Sequence, residues 1–334
     1  MEKKKRKKGH GCLFTVILVV VLAAAIWFIG TSLVNNKAES LVDEMVQEHI
    51  SLANLPLEYG EFTVNIAQGQ IGLTALKFPL AQESTITADM IEIKVSPKEL
   101  ITLALGKTSG LSTASVYAER FGYSAGEMSL DFASGTLDIE GNLDAFAPED
   151  SIIRKVHLVT QEVQYTIAEG LSVASKEMQL DVKGNLNATT LQKDFNGILD
   201  DVWSLDLKAT GGTILPDAQM VAQLGMFATA SPWIADPNNW KFDSVAIEAR
   251  SLEDAIVLDS LALTAPLMEA AGSVSLPRGN SQAVSMKLNV EKLHSQVRTE
   301  LAPIALFMGQ EIPSEAFEFD FAWDGIGFPL FTFN

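Results

Sequence analysis

Cysteine is almost missing from these 334 residues; the one thiol is Cys12. Everything beyond it can hold no internal disulfide, which excludes a disulfide-stapled scaffold. A domain of about 300 residues buries enough apolar surface to fold without such staples. Histidine is also scarce, with four residues at positions 10, 49, 157 and 294, none within ligand spacing of another. No HExxH and no paired cysteines occur, so neither a metal centre nor a cofactor is expected. A Gly-rich phosphate loop ending in Lys-Ser/Thr is absent, as is any Ser-x-x-Lys.

Positive charge is confined in an informative way. Lys3, Lys4, Lys5, Arg6, Lys7 and Lys8 form one block, so six of the 24 basic residues but only one of the 42 acidic ones lie in the first 34 positions. The remainder carries 18 basic and 41 acidic residues, about −23 in all. That excess argues against nucleic acid or anionic headgroups as broad electrostatic partners. It suits solubility in an exported compartment.

The basic block is followed by Leu13 to Val34, 22 residues without a charge. At about 1.5 Å per residue a helix of that length spans roughly 33 Å, enough to cross the hydrocarbon core. Trp27 and Phe28 stand near its outer end, where aromatic rings suit the lipid interface, and Asn35-Asn36-Lys37 closes it. A cationic flank is retained in the cytoplasm, so the rest is exported. A cleavable signal peptide opens in the same way, but its apolar region is usually about 7–15 residues. No clean small-x-small site follows here; Gly30-Thr31-Ser32 is the nearest and leads into Leu33-Val34. The expectation is a cytoplasmic tail at 1–12, an uncleaved transmembrane helix at 13–34, a stalk helix at 35–55 and an exported β-rich domain at 56–334. In the stalk, Leu41, Met45, Val46 and Ile50 recur at helical spacing, and Pro56 ends it. The lack of cysteine in the exported part favours a bacterial periplasm, with the helix in the inner membrane.

From Leu57 the period changes to two. Phe62, Val64 and Ile66 fall on one face, and strands follow at Gln70–Leu80 and Ser84–Val95, the latter broken near Asp89-Met90. Ser96-Pro97 then opens a helical turn over Leu100–Leu105. Strands recur at 117–121, 126–132, 136–143, 155–159, 163–168, 175–186, 202–209, 242–251, 255–265, 270–276, 283–291 and 316–322. Helical intervals are read only at 189–200, 216–227 and 297–308. About 15 strands with few helices predict a mainly β fold, a large antiparallel sheet, curved or sandwiched. The segment Gly126–Phe132 is echoed by Lys176–Val182, a cadence that stacked strand units or chance would both produce.

The residues that might carry chemistry are few. Gly122-Tyr123-Ser124-Ala125-Gly126 fits the GxSxG nucleophile elbow, which needs a strand before it and a helix after it. Alternating Glu127–Phe132 follows instead, and a Gly-rich hairpin turn accounts for the same residues. The acidic pairs Glu149-Asp150, Asp200-Asp201 and Glu253-Asp254 lie in predicted turns or at element ends, where carboxylates stay hydrated. Trp233 and Trp240 flank an irregular loop, either a ligand-contacting lid or a cover over the end of a core. Phe317, Phe319, Phe321 and Trp323 alternate with Glu318, Asp320 and Ala322, giving one apolar face. No catalytic set stands out, and the chain is expected not to be an enzyme.

The stretch Tyr59–Gly106, with Thr85-Ile86-Thr87-Ala88-Asp89-Met90-Ile91-Glu92-Ile93-Lys94-Val95-Ser96-Pro97-Lys98-Glu99-Leu100 at its centre, resembles bacterial envelope proteins of the AsmA-like group. Strand pairs of the Leu261–Pro266 to Gly272–Leu276 kind add to it, and the YdgA-like exported proteins are similar in layout. The resemblance covers about half of the chain and rests on cadence. It implies an inner-membrane protein with a periplasmic, groove-forming sheet; larger AsmA-like members are thought to carry phospholipid along an apolar groove. About 15 strands at about 4.8 Å would reach only some 70 Å, short for a bridge between membranes. The function expected is handling of lipid or another apolar ligand, with the bilayer, a phospholipid and unidentified envelope proteins as partners. A structural module of an envelope complex, without a ligand of its own, is the alternative. The topology predicts that a reporter fused after Asn334 is active only outside the cytoplasm; activity inside would overturn the orientation.

Overall fold

The computed structural model describes residues 58–333 apart from 66–67, 81–83, 105–109, 127, 145–150, 168–170, 188–201, 217–230, 234, 253–254, 278–282, 308 and 324–329. The basic tail, the apolar segment Leu13–Val34 with Trp27 and Phe28, and the stalk lie outside these residues. So does the helix expected at 189–200, and all but the first residue of that expected at 216–227. Among the described residues no helix is long and apolar enough to cross a membrane.

The described chain is mainly β. Its strands are β1 (Phe62–Asn65), β2 (Gln70–Leu80), β3 (Ser84–Lys94), β4 (Gly110–Ala125), β5 (Met128–Asp144), β6 (Ile152–Ile167) and β7 (Leu171–Leu186). They continue as β8 (Val202–Pro216), β9 (Lys241–Ser251), β10 (Ala255–Thr264), β11 (Met268–Pro277), β12 (Val284–Leu293), β13 (Phe317–Trp323) and β14 (Leu330–Phe333). Helix α1 (Pro97–Ala104) joins β3 to β4, and α2 (Ser295–Phe307) joins β12 to β13. All 14 strands form one sheet in sequence order, and its strands pair antiparallel. An up-and-down order of this kind needs only hairpin-length links between most neighbours.

By contacts the chain divides into two compact units: one holds 1–123, 134–157 and 182–203, the other 124–133, 158–181 and 204–334. In the first, one face of β2–β4 is sealed. Ile71, Ile86, Ile93, Leu111 and Phe121 are each 1–2% exposed. Alternation does not run unbroken along these strands. Leu73 and Leu76 are both buried, as are Ala88 and Ile91, and Ala118 and Phe121, each pair three residues apart. Strict period-two geometry would put the members of each pair on opposite faces. Residues in left-handed conformation absorb the mismatch on two of the strands: Ala75 (φ 50°) in β2 and Arg120 (φ 46°) in β4. An ion pair between Arg120 and Asp89 ties β4 to the matching break in β3.

The second unit repeats the device. Glu162 (φ 54°) interrupts β6 and Gly211 (φ 59°) interrupts β8. A Cβ on Gly211 would come within 2.8 Å of the Lys176 side chain, and beside it Ser175 Oγ donates to Thr210 O at 2.9 Å. Register shifts fall in β10 between Leu258 and Ser260, and at Glu269/Ala270 against β12.

These irregularities explain where periodicity misplaced boundaries. The strands expected at 126–132 and 136–143 are one strand, β5, and those expected at 155–159 and 163–168 are one strand, β6. In β6 the break falls at Glu162, whose left-handed conformation interrupts the alternation while the strand runs on. β14 was not expected at all, because four residues give no period to detect.

Ile93 lies in the sealed face, so Ile93→Ala is expected to lower the unfolding free energy by about 2–5 kcal/mol. Leu261→Ala, on the half-open face described below, should cost clearly less in the same urea titration.

Candidate functional site

The register of β8–β13 sorts their side chains into two faces, since directly paired residues of antiparallel strands point the same way. Three rows cross the sheet. One runs Leu207, Ile247, Leu261, Gly272, Leu288, Phe319 and reaches Phe333 on β14. The next runs Leu205, Ala249, Leu258, Val274, Met286, Phe321. The third runs Ala209, Val245, Leu263, Ala270, Val290, Phe317. No residue in them carries a charge or a hydrogen-bonding side chain.

Such a face would ordinarily be closed. Here only Ala270, Val290 and Phe317 are buried, forming a cluster against which Met268, Leu293, Ile312 and Phe333 pack. The other members of the rows are all half-buried. The sealed β2–β4 face, where Ile71 is 1% exposed, shows the contrast within the same protein.

The opposite face is polar and internally neutralised. Arg250 grips Asp259 through two guanidinium nitrogens, Nη2 to Oδ1 at 2.6 Å. Lys292 reaches Glu269 at 2.9 Å, Lys208 reaches Asp206 at 3.2 Å and Lys287 lies 3.8 Å from Asp320. The Arg250 hydrogen bond holds the Asp259 carboxyl below its ordinary pKa, and the bond to Glu269 raises that of Lys292. A hollow of about 210 Å³ is lined by Ser285, Lys287, Asp320, Ala322 and Thr332, together with Met286 and Phe321. In the other unit Met90, Glu92, Lys94, Ser115, Tyr117 and Thr136 line a second hollow of about 330 Å³. There Lys94, 2.6 Å from Glu92, lowers the carboxyl's pKa, with Gln70 hydrogen-bonded beside it.

The residues singled out for chemistry fall into structural positions. Ser124 is exposed at the end of β4; Gly126 (φ 59°) makes the turn and strand β5 follows, so the helix an elbow requires is not there. His294 caps α2, its Nδ1 accepting from Gln296 N at 3.2 Å, while its ring stacks on Trp233 at 4.5 Å. Trp233 N donates to the buried Glu300 at 2.8 Å and its carbonyl accepts from Asn239 at 2.7 Å, so the loop 231–240 is fastened to α2. The far end of α2 closes with a Schellman motif: Gln310 N to Ala305 O and Gly309 N to Leu306 O, both 2.9 Å, with Gly309 at φ 75°. His157 is half-buried in β6. Glu149-Asp150, Asp200-Asp201 and Glu253-Asp254 lie outside the described residues, among which no cluster of potential metal ligands occurs.

The apolar face of β13 was legible in its Phe-x-Phe-x-Phe alternation. Its extension over β8–β12 was not, because Ala249, Ala270 and Gly272 are too small to register as apolar landmarks. Comparison with protein-family models, curated proteins and solved structures finds no match to this chain.

A carboxyl with a depressed folded-state pKa contributes stability above its unfolded pKa, about 3.9 for Asp, and loses it as pH falls through the folded value. Asp259→Asn should therefore be slightly less stable than wild type at neutral pH. The difference should vanish on acidification below the ordinary carboxylate range, as read from melting temperatures across pH.

Proposed function

We propose that this protein is a membrane-anchored envelope protein whose β-domain binds lipid or another apolar ligand on the open face of β8–β13. The observation that carries the reading is that face: every row residue is apolar, yet most stay half-exposed. Full burial of a Leu or Phe side chain stabilises a fold by about 1.5–3 kcal/mol, so a half-open row of them forgoes a large part of that gain. Extended apolar patches on a folded chain mark surfaces that meet an apolar partner.

The rest of the proposal comes from the sequence. Leu13–Val34 serves as the anchor in the bacterial inner membrane, Lys3–Lys8 hold the tail in the cytoplasm, and a stalk at 35–55 carries a curved sheet outside. Tethering keeps the apolar face within reach of the bilayer that supplies its ligand. The role we propose is non-enzymatic.

The test is photo-crosslinking of the full-length chain in native membranes with a diazirine-bearing phospholipid. Adducts on peptides of β8–β13, in addition to those on the anchor, are expected. Adducts confined to residues 13–34 would contradict the reading.

A further inference from the structure

We draw no further inference here: the strongest candidate, the half-open apolar face of β8–β13, belongs to the site already described, and nothing in the structure shows what covers it.

Discussion

Between β8 and β13 the antiparallel ladder aligns each strand's alternation with that of its neighbours, and the site depends on this alignment. A slip of one residue in any pair would turn Leu, Ile and Phe onto the polar face and bring Lys and Asp among the rows. Two features hold the register. The Arg250–Asp259 pair spans β9 and β10 where β10 carries an extra residue. Gly272 lets β11 and β12 approach more closely than any side chain would allow.

The two units use the same sheet for opposite ends. In the first, strands interrupted by left-handed residues return their alternation to one side and the apolar residues there are shut away from water, with Ile71, Ile86 and Ile93 each 1% exposed. In the second, equally apolar rows stop short of closure.

Much of this was legible in the sequence, for reasons that also define what was not. Gln70–Leu80 and Ser84–Lys94 alternate on either side of one break each and emerged within a residue of their expected bounds. Pro97 opens α1 where a helix tolerates a missing N–H. β6 was divided at Glu162, where a break in alternation reads as an ending. The Gly-x-Ser-x-Gly pentapeptide resolved into a hairpin end, its glycine at positive φ making the turn. The continuity of the apolar face escaped notice because Gly272 and Ala270 are small and its members are brought together only through pairing. His294 gave no sign of its capping role, which depends on a helix start and a tryptophan some sixty residues upstream.

The claim at the centre is that one face of β11–β12 receives an apolar ligand while the other does not. Leu288 and Lys287 are adjacent in sequence and belong to opposite faces. With Cys12 replaced by Ser, a single environment-sensitive fluorophore is attached to Leu288→Cys or to Lys287→Cys in the full-length protein, and oleate is titrated in. A saturable blue shift at position 288 with none at 287 is the predicted result. Equal shifts at both positions, or none at 288, would contradict the account.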